Sequence, residues 1–243
     1  MRTLVGVPLL ALVAGCATAS LPGAGDDDIV VPVDARESDG RPVDARVVDA
    51  PPPVDAPPAQ QTITLTQTSD ENPLTGTSIA CSNQTTGFTR DNSYYRVFPL
   101  TSFGVNRPFT AQRVTFKVEQ ATASAGSQTV QVKLYTLSGG VLSLAALTPI
   151  AGNNVIVPNG ALTTINVPIA PAPVVPAGAT LVVEVFSPDG DTVGNAFFIG
   201  TNSGTETASG YLRSTTCMVN EPTTYAALGF GTTRLILTVT GTY

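Results

Sequence analysis

The chain has 243 residues, only 12% of them charged, and its 18 acidic and 12 basic side chains give a formal net charge of −6. It contains no histidine, which excludes Ser-His-Asp and Cys-His catalysis and zinc sites that depend on histidine. The acidic balance argues against sequence-independent nucleic-acid binding, which needs many basic side chains.

The N-terminal segment is typical of an exported protein. Arg2 supplies a positive charge, and the following run Leu4–Val13 is almost wholly apolar. A run of this length is too short to span a bilayer and suits a signal peptide. It ends in Val13-Ala14-Gly15-Cys16, which resembles the lipobox of bacterial lipoproteins. The resemblance implies a signal peptide over residues 1–15, cleavage before Cys16, and acylation of Cys16 with palmitate among its acyl chains.

The same resemblance indicates the compartment. Lipoproteins retained in the inner membrane often carry aspartate after the lipidated cysteine, whereas this chain has Ala17. We therefore expect a bacterial cell envelope protein held in the outer membrane by its lipid anchor. Two or more acyl chains hold a protein stably on a bilayer, whereas one holds it only marginally.

Residues 16–60 are predicted to be the lipidated cysteine and a disordered tether. The segment 17–60 holds eight prolines, nine acidic residues and three arginines, so it carries the whole net charge of −6. It has no aromatic residue and cannot bury a core, so it is expected to stay disordered and extended. In this it resembles the tethers of other bacterial envelope lipoproteins.

Residues 61–243 are predicted to form one β domain. The segment contains 32 threonines in 183 residues, and several runs alternate between apolar and polar residues, as half-buried strands do. Strands are expected at 62–66, 94–100, 113–119, 130–135, 155–158, 162–169, 180–187, 196–201, 209–214 and 235–240. The strands at 113–119 and 130–135 flank a turn-rich segment and are interpreted as an antiparallel pair.

These strands predict an all-β fold, a two-sheet antiparallel sandwich with jelly-roll topology. Pro99, Pro158 and Pro168 are expected at strand ends or edges, and Leu142–Leu147 as a single helical turn. In pattern the domain resembles the jelly-roll accessory modules of secreted bacterial proteins. No motif of such a family is present, so the resemblance implies no functional residue.

Two cysteines remain once Cys16 is lipidated. Cys81 and Cys217 lie in an oxidising compartment and are predicted to form one disulfide. Two buried thiols or a metal-binding pair are the alternatives.

No catalytic motif is present, so the chain is predicted not to be an enzyme. Among the nine acidic residues of the domain, Glu184 stands out because it lies inside the apolar run Leu181–Phe186. If it is buried, its pKa would rise as a general acid requires. The alternatives are a carboxylate on the outer face of a sheet or one paired with an arginine. Glu119 is the second carboxylate of interest.

Two further sites are candidates. Asp189 and Asp191 flank Gly190 and are weak candidates for a structural calcium, although Asp-Gly is first a turn signal. No other metal and no cofactor are expected. Tyr94, Tyr95 and Tyr135 are the candidates for stacking on a ligand, with one of the Tyr94-Tyr95 pair expected to point outward.

The sequence therefore predicts a membrane-anchored envelope lipoprotein whose non-catalytic β-sandwich makes structural or adhesive contacts. Its partners would be the membrane, through the lipid anchor, and a protein or glycan that the sequence does not identify. A glycan-binding module is the first alternative and a carboxylate-dependent hydrolase the second.

Overall fold

The computed structural model describes residues 59–243, so the predicted signal peptide, Cys16 and nearly all of the tether lie outside the described residues. No helix among the described residues is long and apolar enough to cross a membrane. Within the described part of the chain, two short 3₁₀ turns, Leu100–Phe103 and Leu144–Ala146, accompany fourteen strands. In chain order these are β1 (Thr62–Leu65), β2 (Asn92–Pro99), β3 (Phe109–Thr122), β4 (Ser127–Leu137), β5 (Leu147–Pro158), β6 (Gly160–Pro168), β7 (Val174–Val175), β8 (Thr180–Ser187), β9 (Ala196–Ile199), β10 (Thr201–Asn202), β11 (Tyr211–Ser214), β12 (Val219–Thr224), β13 (Arg234–Leu235) and β14 (Leu237–Thr242).

The strands form two six-stranded antiparallel sheets. The first sheet has the order β1-β14-β3-β6, with β7 and β9 also paired to β3, and the second has the order β12-β11-β2-β8-β4-β5. Strands β10 and β13 make a separate short ladder. If β1 to β6, β8 and β14 are counted as strands one to eight, the sheets read 1-8-3-6 and 2-7-4-5. This is the order of a jelly roll, so the predicted two-sheet sandwich and its topology are confirmed.

The core lies between the two sheets. Val114, Phe116 and Val118 of β3 point into it from the first sheet, and Val130 and Leu134 of β4 from the second, all fully buried. Successive side chains of a strand alternate between its faces, so every second residue of these strands enters the core. Burial of each such side chain stabilises the fold by about 1.5 to 3 kcal/mol.

The predicted pairing of the strands at 113–119 and 130–135 is wrong. β3 pairs with β14 and β6, whereas β4 pairs with β5 and β8. The connection between β3 and β4 crosses from one sheet to the other, and the Asn159 side chain braces it by hydrogen bonds to both backbone groups of Ala123. Alternation shows only that each strand has one buried face. That face is buried by packing against the opposite sheet, which does not require the two strands to be hydrogen-bonded neighbours.

Local predictions at strand ends are confirmed. Pro99, Pro158 and Pro168 are the last residues of β2, β5 and β6, where a missing backbone N–H costs no central ladder bond. The 3₁₀ turn Leu144–Ala146 lies within the predicted helical turn.

The predicted disulfide is also confirmed. Cys81 and Cys217 are bonded, with their Cα atoms 5.9 Å apart and 136 residues apart in sequence. The bond ties the segment before β2 to the turn between β11 and β12, and thereby fastens the edge hairpin of the second sheet.

Candidate functional site

The outer face of the second sheet, which points away from the core, gathers the chemistry-bearing side chains of the domain. Strand register sets one row across five strands: Gly152, Lys133, Glu184, Tyr95 and Tyr211. The adjacent row consists of Asn154, Gln131, Phe186, Ser93 and Arg213. We call the part of this face formed by Gln131, Lys133, Gly152, Asn154, Phe186 and Arg213 the outer groove.

Glu184 is buried beneath this surface and is held entirely by protein donors. Its Oε1 accepts hydrogen bonds from Ser93 Oγ at 2.7 Å and Tyr95 Oη at 3.2 Å, and its Oε2 accepts one from Tyr135 Oη at 2.5 Å. Lys133 Nζ lies 3.7 Å from Oε2. The carboxylate therefore lies on the outer face of a sheet, which was one of the two alternatives considered from the sequence. Its cationic partner is a lysine, whereas the other alternative was an arginine.

The environment keeps the phenol groups of Tyr95 and Tyr135 protonated, so that both can donate hydrogen bonds. Burial and the neighbouring Glu184 charge raise the pKa of Tyr95, an effect that a hydrogen bond with Ser93 and, to a lesser degree, Arg213 partly offset. Burial and the hydrogen bond to Glu184 raise the pKa of Tyr135. Both rings therefore remain protonated and keep donating to the carboxylate, because an ionised phenol has no hydrogen to donate.

Lys133 connects this buried network to solvent. Its side chain is 34% exposed, and its Nζ lies 4.6 Å from the centroid of the Phe186 ring, a cation–π geometry. Beside it, between β4 and β5, a polar hollow of about 210 Å³ is lined by Gln131, Val132, Lys133, Gly152, Asn153 and Asn154. Gly152 stands opposite Lys133 in the β4–β5 register, so its missing side chain leaves this space open.

A loop closes the other side of the face. The segment from Ser138 to Ala146 leaves the end of β4, and its Leu144 N–H donates to Glu221 Oε2 of β12 at 2.9 Å. Leu142 of this loop packs in an apolar cluster with Tyr95 and Val182. The loop thus spans the face from β4 to β12 and forms a wall, with the outer groove uncovered beside it.

The three tyrosines predicted to contact a ligand have different positions. Tyr94 and Tyr95 do alternate onto opposite faces of β2, but both are buried. Tyr94 packs in the sandwich core, and Tyr95, on the outer face, is covered by the loop cluster. One tyrosine of the pair, Tyr95, therefore points outward as predicted, but Leu142 of the loop covers it. Tyr135 is half-buried, and its hydroxyl is committed to Glu184.

The other candidate carboxylate, Glu119, is on the first sheet and belongs to a separate arrangement. Its oxygens accept hydrogen bonds from the backbone N–H groups of Gly76, Thr77 and Ser78 at 2.7, 3.2 and 2.7 Å. Glu119 and Glu184 therefore do not face each other across a cleft. The hollow beside Lys133 and a second one of about 340 Å³ near Gln67 and Phe103 have no acidic side chain in their linings.

A buried ion pair lies inside the sandwich. Arg96, on the core face of β2 with Tyr94 and Phe98, is fully buried. Its Nη2 lies 2.9 Å from Glu206 Oε2, and Arg234 Nη1 lies 3.3 Å from the other oxygen of Glu206. The guanidinium also donates to the carbonyls of Ala208 and Leu235. These contacts fix the loop before β11 to the core, so we assign Arg96 a structural role.

The calcium candidates are occupied by protein partners. Asp191 lies 2.8 Å from Arg90 Nη1 and accepts hydrogen bonds from Asn83 and Thr86. Asp189 is 3.7 Å from the same arginine. Within residues 59–243, no group of three or more acidic or cysteine side chains is arranged to hold a metal ion. These contacts show that Asp189 and Asp191 brace a turn through Arg90.

No local sequence motif marks the residues of the outer groove as a site. Lys133 and Gln131 were visible as polar residues opposite the apolar face of β4. Gly152, Asn154 and Arg213 come from strands whose neighbours are set by the tertiary structure, and no local pattern marks them.

The outer face of the first sheet is different in character. Threonine hydroxyls pair there with polar neighbours on adjacent strands: Thr64 with Thr240 at 2.9 Å, Thr115 with Asn166 at 2.9 Å, and Thr164 with Lys117 at 2.8 Å. The result is a hydroxyl-rich surface that lies opposite the outer groove in the sandwich.

Comparison with known proteins gives little further information. No protein-family model and no curated protein sequence matches the chain. Among solved structures, it is similar to that of the cysteine protease and lectin-like domains of Cwp84, a surface layer associated protein of Clostridium difficile. The match has a TM-score of 0.45 and 13% identity, and covers 63% of this chain and 32% of the other. So distant a likeness carries no argument about function.

Proposed function

We propose that the protein is a lipid-anchored lipoprotein of the bacterial cell envelope whose β-sandwich acts by contact with a partner and not by catalysis. The hydrogen bonds that Glu184 accepts support the second part of this proposal, that the domain does not act by catalysis. A general acid must bring its proton to a substrate atom within hydrogen-bond reach. Glu184 instead accepts three hydroxyl hydrogen bonds beneath the surface and is 4% exposed.

The anchoring half of the proposal rests on the sequence. The apolar run and Val13-Ala14-Gly15-Cys16 support lipidation, and the acidic, proline-rich segment 17–60 supports an extended arm. Such an arm would hold the sandwich away from the bilayer and raise its encounter frequency with partners near the membrane.

A glycan is the partner class that one observation favours. The hollow beside Lys133 offers the side-chain amides of Gln131 and Asn154, each of which can donate and accept hydrogen bonds. Sugar hydroxyls also do both, so this lining suits a glycan better than an apolar ligand. The half-buried Phe186 ring adds an apolar surface next to it.

The proposal is tested with a secreted form of residues 17–243, which removes the lipid anchor as a cause of retention. This protein should be retained on isolated envelope material and should release no soluble sugar or acid during long incubation. A Glu184→Gln variant serves as the catalytic control. Steady turnover that this variant abolishes would establish a hydrolase, and lack of retention on every envelope fraction would contradict the contact function.

A further inference from the structure

The outer groove presents an excess of positive charge. Lys133 is paired with Glu184 at 3.7 Å, and that carboxylate is already held by three hydroxyls. Arg213 donates through Nε to the carbonyl of Asn220 at 3.0 Å, and within residues 59–243 it makes no ion pair. Of the residues that line the groove, two are thus cationic, beside one buried anion, while the nearby carboxylates of Glu221 and Asp91 are engaged by backbone N–H groups.

The two cations belong to one surface. Lys133 is three strands away from Arg213 in the order β4-β8-β2-β11, which corresponds to about 14 Å at the usual strand spacing. Arg213 stands beside Tyr95 on this face, since Tyr95 pairs with Tyr211, two residues from Arg213 on β11. Tyr95 and Tyr135 are both hydrogen-bonded to Glu184, the partner of Lys133. A ligand with anionic groups spaced along its length would meet both cations.

The shape of the groove favours an extended, hydroxyl-rich ligand. The hollow of about 210 Å³ at Gly152 is open above the glycine, since a Cβ there would meet only Val132 O at 3.6 Å and Lys133 Cγ at 3.8 Å. Five strands lie side by side from Gly152 on β5 to Arg213 on β11. Their four spacings add up to about 19 Å across the sheet at the usual strand separation. The wall formed by the loop Ser138–Ala146 runs along the same direction.

We propose that the outer groove binds an extended acidic polysaccharide across the strands. One sugar ring lies in the hollow at Gly152 against the amides of Gln131 and Asn154, and the carboxylates of the polymer meet Lys133 and Arg213. This inference rests on the proposed contact function and names the partner class and the site. Charge complementarity selects an acidic polymer over a neutral one, because a neutral chain leaves the charge of Arg213 without a partner.

The test uses the mature full-length protein in detergent, with polygalacturonate as the acidic probe and dextran as the neutral one. In affinity electrophoresis, polygalacturonate should bind about tenfold more tightly or better, a preference of about 1.4 kcal/mol. Added salt should weaken this binding, since exposed charges are screened. Equal binding of the two polymers would overturn the proposal, as would no binding to polygalacturonate or equally strong binding of a single-stranded DNA oligomer.

Charge variants locate the site. Lys133→Met and Arg213→Met should each weaken polygalacturonate binding about tenfold, the effect of losing a contact at the centre of an interface. Lys133→Arg and Arg213→Lys should restore most of it. Arg113→Met, at an exposed position on the outer face of the first sheet, is the matched control and should bind like the wild type. Unchanged binding in both methionine variants, with the wild-type melting temperature, would refute the site.

A steric variant tests the hollow without altering charge. Gly152→Phe should fill the space above the glycine and abolish most of the binding. Gly152→Ala, whose methyl group makes only ordinary contacts, should retain it. Full binding by Gly152→Phe would place the ligand elsewhere.

The two proposals fail in different ways. If the secreted form is retained on envelope material but polygalacturonate does not compete, the contact function stands and the acidic-glycan site is wrong. If the protein turns over its ligand, the contact function itself is wrong.

Discussion

At the residue scale, Asp91 illustrates how carboxylates in this domain stabilise loops. Its side chain accepts hydrogen bonds from the backbone N–H groups of Thr215 and Thr216 at 3.0 and 3.2 Å and from the Thr215 hydroxyl at 2.7 Å. These donors hold the turn that carries Cys217. Burial acts to raise the pKa of Asp91, but the hydrogen bonds from Thr216 and Thr215 together lower it below its ordinary value of 3.8.

A pH-dependent stability difference follows. A carboxyl group whose pKa is lower in the folded state stabilises the fold above its unfolded-state pKa, and this contribution is lost as the pH falls through the folded-state pKa. Asp91→Asn should therefore be less stable than the wild type at neutral pH, and the gap should narrow as the pH falls from about 5 to about 2. Urea unfolding at several pH values measures this difference in the free energy of unfolding between the wild type and the variant.

A variant without a change in titrating groups provides the control. Thr215→Val removes a hydroxyl donor but keeps the carboxylate, so the pH-dependent part of its stability should be smaller than in the wild type. A gap between wild type and Asp91→Asn that is the same at pH about 5 and about 2 would contradict the linkage argument.

At the element scale, the edge hairpin β11–β12 depends on contacts with other parts of the domain. It pairs with the rest of the second sheet only through three register pairs between β11 and β2. The disulfide at its turn, the hydrogen bonds of that turn to Asp91 and the hydrogen bond from Leu144 to Glu221 add further attachments. Arg213, one of the two groove cations, stands on this hairpin, so its position depends on them.

Removing the disulfide should destabilise the domain. A cross-link that closes a long loop restricts the unfolded chain, and loss of a native disulfide from a small secreted domain typically costs about 2 to 5 kcal/mol. The Cys81→Ala, Cys217→Ala double variant should show a loss of this size in urea unfolding. The wild type in reductant should match it, whereas an unfolding midpoint unaffected by reductant would contradict a stabilising role.

The outer groove is also a property of elements rather than of single residues. Its floor comes from β4 and β5, its buried anion from β8, and its second cation from β11. The wall depends on the loop after β4 reaching β12. A groove built from four strands and a loop is held by the sheet, which suits recognition of a ligand in one orientation.

At the scale of the whole molecule, the charge is unevenly distributed. The segment 17–60 has a net charge of −6, whereas the domain from residue 61 onward has eight basic and nine acidic side chains. An acidic segment repels an acidic polymer, so segment 17–60 is not expected to contribute to binding at the outer groove.

The expected lipidation of Cys16 can be tested on the whole protein. In the native host, metabolic labelling with palmitate should label the wild-type protein, and Cys16→Ser should remove the label and shift the protein out of the detergent phase in a two-phase extraction. Cys81→Ser keeps the lipidation signal and should stay labelled. Label that persists in Cys16→Ser would contradict the lipobox interpretation.

Much of the fold was determined by the sequence alone. Period-two alternation along β3 and β4 identified which side chains enter the core, because this pattern depends only on strand geometry. Proline marked the ends of β2, β5 and β6, because it lacks a backbone donor wherever it stands. The pairing of Cys81 with Cys217 followed from there being no other partner once Cys16 was assigned to the lipid.

Other features were decided only by the tertiary structure. Alternation says that β3 has a buried face but not which strands lie beside it, so its true neighbours, β14 and β6, could not be read from local sequence. Tyr95 points outward as alternation requires, yet Leu142 of a distant loop covers it. Lys133, Glu184 and Arg213 lie on one sheet face because the tertiary structure places β4, β8, β2 and β11 side by side. Which strands become neighbours depends on how the whole chain buries its apolar faces, and no short stretch of sequence contains that information.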